Sequence, residues 1–256
     1  MPVESPGPAV GFHDVTKRFG AGAPAVDRVS LAIEPGSFVA LVGTSGSGKS
    51  TLLKTINRLV EPTSGYVTVD GEDVSRLPPP QLRRSIGYVF QNVGLFPHLN
   101  VAENVALPLR LAGRPDAERV NELLDLVALP RSLAMRLPAA LSGGQRQRVG
   151  VARALAAGPR LMLMDEPFGA LDPVTRDSLG EAVRMLHQRL ELTTVMVTHD
   201  MAEALLLATR VLVMQDGRIV TDETPAGLLA GRGGDAAQAL VAVPRSQAQR
   251  LAELSR

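Results

Sequence analysis

Gly43-Thr44-Ser45-Gly46-Ser47-Gly48-Lys49-Ser50 has the residue types and spacing of a phosphate cradle. Its glycines stand where the backbone must bend for successive N–H groups to point at a polyphosphate. Lys49 can reach the β- and γ-phosphates, and the Ser50 hydroxyl can coordinate Mg²⁺. The flanks agree. Ser37 to Val42 predicts a short buried strand, and Thr51-Leu52-Leu53-Lys54-Thr55-Ile56 opens a helical pattern whose N-terminus faces the phosphates. A Gly/Ser-rich turn that binds nothing would explain the glycines but not their context. These residues imply a nucleoside triphosphate site.

Leu161-Met162-Leu163-Met164-Asp165-Glu166 is an apolar run closed by two carboxylates. Ligands of parallel sheets sit beyond the carboxyl ends of the strands. The pair is therefore expected beside the cradle, provided its strand neighbours the one before the cradle. Asp165 then suits Mg²⁺, and Glu166 can poise an attacking water. An acidic pair merely ending a buried strand is the plainer account, and the cradle tips the balance. Leu141-Ser142-Gly143-Gly144-Gln145 precedes a helical pattern from Arg146 to Leu155. Ser142 reads as an N-cap, and the two glycines leave N–H groups and the helix dipole uncovered for an anion. A cap alone explains Ser142 but not both glycines.

The elements that must hold these groups read as an α/β chain. From Val10 to Asp73 short β-like runs alternate with turns, at Val15-Thr16, Val29 to Ile33, Phe38 to Val42 and Tyr66 to Val69. Leu77-Pro78-Pro79-Pro80 marks a connector, and Ile86 to Gln91 is another strand. From about Val101 to Leu137 strands vanish, and Glu118 to Leu129 predicts an amphipathic helix with Val120, Leu123, Leu124 and Val127 on one face. This block reads as a helical subdomain, about 97–152, inserted in a core spanning 10–230. Strands resume at Leu161 to Met164 and Thr193 to Val197, each after a helical pattern, as a parallel sheet needs. Gly231-Arg232-Gly233-Gly234 reads as a flexible joint to a tail, 231–256, that Pro244 divides.

Composition narrows the function. The 256 residues suffice for a sizeable core. Without Cys, disulfides and thiol chemistry are ruled out, which fits a reducing compartment. Met1 to Pro6 lacks the pattern of a signal peptide. No apolar run reaches the roughly 18 residues a span requires, so a membrane role would come through a partner. A net charge of +1, with two Tyr, six Phe and no Trp, leaves little for nucleic acid.

Leu141 to Gln145, lying between the cradle and the acidic strand, resembles the signature of the ATP-binding-cassette (ABC) ATPases. The resemblance covers roughly residues 10–228, with the motifs in order. It implies a P-loop NTPase (RecA-like) core with a parallel sheet, an antiparallel N-terminal β part and the inserted helical subdomain. Gln91 resembles the family's glutamine loop, which contacts Mg²⁺ and the γ-phosphate and adjoins the transmembrane partner. Ala170-Leu171-Asp172 is similar to the loop that crosses the dimer interface, and His199 to the switch histidine at the γ-phosphate. Phe19 stands where the family usually stacks a Tyr on adenine, with Phe12 the lesser alternative. His13, His98 and His187 have no such frame. Glu166, His199 and Lys49 are then the catalytic set, and ATP lies on Phe19, Gly43 to Thr51 and Gln91. Mg²⁺ takes Ser50, Gln91 and Asp165. Ser142, Gly143, Gly144 and Gln145 close over a second copy's cradle, with Asp172 at the interface.

Thr55 to Gly65 and Ile86 to His98 further resemble the ATPases of osmoprotectant importers for glycine betaine, choline and related quaternary amines. This implies MgATP hydrolysis in a head-to-tail dimer, transmembrane permease subunits, an exported solute receptor and a cytoplasmic place at the inner face of the plasma membrane. Larger members carry paired regulatory CBS modules, for which the tail is too short. The rival is a soluble ABC ATPase acting on the ribosome or DNA. Such proteins usually carry two cassettes or a long coiled-coil insertion, and this chain shows neither.

Overall fold

The computed structural model of the chain describes residues 6–169 and 171–254. Met1 to Ser5, most of the stretch read for a leader, and Ala170 of the interface loop lie outside the described residues. In chain order the first elements are β1 (Val10–Lys17), β2 (Val26–Ile33), β3 (Phe38–Val42), α1 (Lys49–Ile56), β4 (Ser64–Val69), β5 (Glu72–Asp73), α2 (Pro79–Ser85) and β6 (Ile86–Val89). Helices α3 (Val101–Leu111), α4 (Ala117–Leu126) and α5 (Gly143–Leu155) follow. Then come β7 (Leu161–Asp165), α6 (Pro173–Arg189), β8 (Thr193–Val197), α7 (Met201–Leu207), β9 (Arg210–Gln215), β10 (Arg218–Glu223), α8 (Pro225–Leu229) and α9 (Gly234–Leu254).

Two sheets form. The first is antiparallel, in the order β2-β1-β4-β5, and the second runs β10-β9-β3-β8-β7-β6, parallel except for β10. All five residues of β3 are buried, because both faces of this central strand are covered. Phe38, Ala40 and Val42 meet the core beneath the helices, while Val39 and Leu41 join Phe12, Val67, Leu52 and Ile56 on the other side. Helix α4 turns Val120, Leu123 and Leu124 inward, and Val127 just past its end is buried with them.

Several sequence expectations need correction. β7 does not neighbour β3, because β8 lies between them. The acidic pair still reaches the cradle. Leu41 pairs with Val197 and Val197 with Asp165, so the three strand ends are level, and α1 packs across both β8 and β7. The prolines at 79 and 80 are not in a connector but in the first turn of α2, where a missing N–H costs nothing. β6 stops at Val89, leaving Gln91 beyond the strand. The joint at 231–234 is tied down, because Thr221 Oγ1 donates to the Gly233 carbonyl at 2.6 Å. Beyond it α9 runs unbroken through Pro244 and buries Ala237 and Val241 against α7, α8 and β10.

Candidate active site

The cradle is the loop from β3 into α1. Gly43 (φ 149°) and Gly48 (φ 104°) are both in backbone territory that favours glycine. Both also press on neighbouring main chain: a Cβ at Gly43 would collide with the Met214 carbonyl, and one at Gly48 with that of Ala25. The cradle's shape is thus set by β9 and by the approach to β2. No side chain caps the start of α1, which leaves its first N–H groups to an anion. Lys49 is 5 % exposed, and its ammonium lies across the loop on the Gly43 and Thr44 carbonyls, both at 2.8 Å. Burial pulls its pKa down, and the carboxylates of Glu166 and Asp165 oppose that pull.

Asp165 ends β7 almost fully buried. Its Oδ1 accepts from Ser50 Oγ at 2.6 Å, and its Oδ2 from the Tyr88 hydroxyl at 3.3 Å. Lys54 Nζ pairs with the same Oδ2 at 2.8 Å. One residue on, Glu166 has φ 46°, strained for a side-chain-bearing residue, while its N–H holds the Val197 carbonyl at 2.9 Å. Its Oε2 accepts from Gln91 Nε2 at 3.1 Å and lies 3.3 Å from His199 Nδ1. So Gln91, Glu166 and His199 meet at one carboxylate oxygen, beside the Lys49–Ser50–Asp165 group. The Gln91 amide rests on Glu166 rather than on the Asp165–Ser50 pair.

Behind His199, Asp200 caps α7 through the N–H of Ala202 at 2.8 Å. Arg176 of α6 pairs with Asp200 at 3.3 Å and donates to the Leu171 carbonyl at 3.3 Å. It thereby ties the segment before Asp172 to the segment after His199. Asp172 itself caps α6, accepting from Thr175 N at 3.0 Å, and the hydrogen bonds of the Thr175 side chain and backbone hold its carboxyl below the usual range. His187 is structural: it is buried against Phe38, 3.0 Å from Thr194 Oγ1, and burial pushes its pKa down.

Ser142 and Gln145 form a reciprocal cap at the start of α5, with Ser142 N donating to Gln145 Oε1 at 2.9 Å and Gln145 N to Ser142 Oγ at 3.2 Å. The expectation for the two glycines divides here. Gly143 faces open space, but a Cβ on Gly144 would strike Thr175 Cγ2, so Gly144 serves the packing of α5 on α6. Among the described residues no hydrogen bond joins Ser142 to Gln145 with the cradle of the same chain. Phe19 is 61 % exposed with Lys17 Nζ 5.1 Å from its ring centre, whereas Phe12 is buried in the core and free for no ligand. Leu95, in the segment after Gln91, is partly buried and packs on the core.

Sequence reasoning missed Tyr88, Lys54, Arg153 and Arg176. Lys54 was within reach, one helical turn past Ser50 on the same face. Arg153 of α5 is buried and donates to the Val93 and Gly94 carbonyls at 2.5 and 2.8 Å, clamping the segment after Gln91. Nothing local in the sequence marks it.

A family model described as ABC transporter matches residues 26–169. The carnitine transport ATP-binding protein OpuCA of Listeria monocytogenes is 49% identical over 221 residues, covering 85% of this chain and 56% of that protein. The glycine betaine uptake system ATP-binding protein YehX of Escherichia coli is 49% identical over 229 residues, 88% of this chain and 74% of that one. The sulfate/thiosulfate import ATP-binding protein CysA of Mycobacterium tuberculosis is 50% identical over 214 residues, 82% of this chain and 60% of that one. The chain spans little more than half the length of the first of these. Among solved structures, the ATP-binding cassette MJ0796, in a dimeric post-hydrolysis state bound to ADP and Pi, superposes with a TM-score of 0.77. It is 37% identical, covering 84% of this chain and 98% of that one.

Proposed function

The chain belongs to the ABC transporter family, and we propose that it is the ATP-hydrolysing subunit of a bacterial importer for quaternary-amine osmoprotectants such as glycine betaine and choline. The observation that carries the catalytic reading is the meeting of Lys49, Ser50, Asp165, Glu166, Gln91 and His199 at the carboxyl ends of the parallel strands. Lys49 and the N–H groups of residues 43–51 would hold the phosphates, and the exposed ring of Phe19 would take the adenine. Ser50 Oγ and Asp165 Oδ1 are hard oxygen donors that fit Mg²⁺, an ion that uses few protein ligands and fills its shell with phosphate and water; the Gln91 oxygen would be a third donor. Bound there, Mg²⁺ would offset the charge that builds on the phosphate oxygens.

Glu166 accepts the proton of a water whose oxygen attacks the γ-phosphorus in line, as the bond to the bridging oxygen breaks and ADP leaves. His199 steadies that carboxylate and faces the γ-phosphate. A second copy, placed head to tail, would bring its Ser142 to Gln145 helix start and Asp172 to the cradle. Beside Gln91, Leu59, Tyr88, Phe90, Pro108 and Leu111 line a groove of about 410 Å³. Phe90 and Leu111 are 45 % and 68 % exposed, an apolar surface suited to a segment of a permease subunit. Among the described residues no helix is long and apolar enough to cross a membrane, so the permease would hold the subunit at the cytoplasmic face. An exported receptor would supply the solute.

The solute reading rests on OpuCA and YehX, and CysA at 50% identity keeps another importer substrate as the second reading. Two measurements separate the layers. Lys49→Ala removes charge-assisted contacts worth roughly 1.5–3 kcal/mol, so ATP affinity should fall about ten- to a hundredfold in a fluorescent-nucleotide titration; unchanged affinity contradicts the cradle. Deleting the gene in a strain without redundant importers should abolish uptake of labelled glycine betaine or choline at high salt. Normal uptake of both with loss of sulfate uptake would remove the solute reading and leave the ATPase standing.

A further inference from the structure

Asp165 is held unevenly. Among the described residues Oδ1 takes a hydrogen bond from Ser50 alone, while Oδ2 takes both the Lys54 ammonium and the Tyr88 hydroxyl. The reach of Tyr88 follows from strand register. β6 and β7 run parallel with Tyr88 opposite Leu163, and Asp165, two residues on, points to the same face of the sheet. The phenol therefore spans the diagonal to the carboxylate. A carboxylate can only accept, so in this contact the phenol is the donor. The ring is fixed in turn, 4.5 Å from that of Phe90.

We propose that Tyr88 is a positioning residue that holds the Asp165 carboxylate so that Oδ1, beside Ser50, faces the metal. This rests on the reading of Asp165 as a Mg²⁺ ligand. Lys54 cannot do the same work. An ammonium is a compact point charge on a flexible stem that attracts a carboxylate without fixing its plane, whereas the phenol is rigid and directional. Freed of Tyr88, Asp165 keeps its charge partner but can turn, and it then presents Oδ1 to the metal only part of the time.

Tyr88→Phe keeps the ring and its contact with Phe90 and removes only the donor. A fluorescent ATP analogue should bind this variant and the native chain alike in EDTA. The Mg²⁺ concentration giving half of the metal-dependent increase in binding should rise about two- to tenfold, the weight of one hydrogen bond. Equal Mg²⁺ midpoints in a native chain that plainly responds to Mg²⁺ overturn the role of Tyr88. A native chain indifferent to Mg²⁺ overturns instead the reading of Asp165 beneath it.

A second readout does not depend on that variant folding. The chain has no Trp and two Tyr, the other being Tyr66, which stacks on His13 in the first sheet. In a Tyr66→Phe background all tyrosine emission comes from Tyr88. It should change on adding Mg²⁺ to nucleotide-loaded protein, with the midpoint of the binding titration. Emission that ignores Mg²⁺ while binding responds to it sinks the proposal.

Discussion

Glu166→Gln should lower ATP turnover by roughly 10²–10⁴, the range a lost general base commands, while nucleotide affinity stays near its native value. The expectation follows from where the side chain sits. Its backbone is pinned at φ 46° by the bond from its N–H to Val197, so the carboxylate leaves the strand end at a set angle. Among the described residues the oxygen between Gln91 and His199 makes no hydrogen bond or ion pair with the cradle's own lysine. An amide in its place keeps size and can still accept from Gln91, but it cannot take a proton from water. Binding should survive because Lys49 and the N–H groups of the cradle are untouched. ATP-loaded dimers should therefore outlive their normal span and accumulate in gel filtration. A variant that turns over at near-native rate would show that some other group accepts the proton, with His199 then the first to test.

How much of this site is legible in sequence depends on whether a residue's reason is local. The cradle is, because its glycines, lysine and hydroxyl are consecutive and their roles follow from one loop. The capping of α5 is too, since Ser142 and Gln145 satisfy each other three residues apart. The glycine pair shows the limit: Gly144 owes its identity to Thr175, a residue 31 positions away that no local pattern ties to it. Tyr88 and Arg153 fail for the same reason, since their partners lie on other strands or past a helical insertion. The order of the strands stayed open, as a proviso on the neighbour of β7, because an apolar run tells that a strand is buried but not between which neighbours. β9 and β10 went unread although Arg210 to Gln215 is an apolar run followed by Asp216-Gly217, a recognisable hairpin turn.

Ser142→Arg should abolish most hydrolysis while leaving ATP binding to the separate chain intact, and its loss should be reversible by mixing. The argument begins with what Ser142 does at home. Among the described residues its hydroxyl accepts only from Gln145 N, and no hydrogen bond links it to the cradle of its own chain. The helix start is exposed and Gly143 beside it faces open space, so in the proposed head-to-tail dimer it would be free to meet the partner's phosphate. Replacing the cap also costs about 0.5–2 kcal/mol of local stability, so Ser142→Asn, which keeps a capping oxygen without the bulk and charge, separates folding from function. It should stay folded and keep far more activity than the Arg variant. Lys49→Ala is the complementary lesion, with a damaged cradle and an intact Ser142. In a mixed dimer the cradle of the Arg variant meets the helix start of the Lys49→Ala chain, and both halves of that one site are sound. The opposite site carries both lesions. Mixing two inactive proteins should therefore restore turnover, rising to a maximum near equal proportions if one site suffices. Mixed dimers demonstrated by differential tagging yet silent at every ratio would leave two choices, a site complete within one chain or an obligate need for both. The first is settled by nucleotide turnover at dilutions where no dimer forms. Turnover that persists there would overturn the head-to-tail reading; turnover that vanishes would keep it and make both sites necessary.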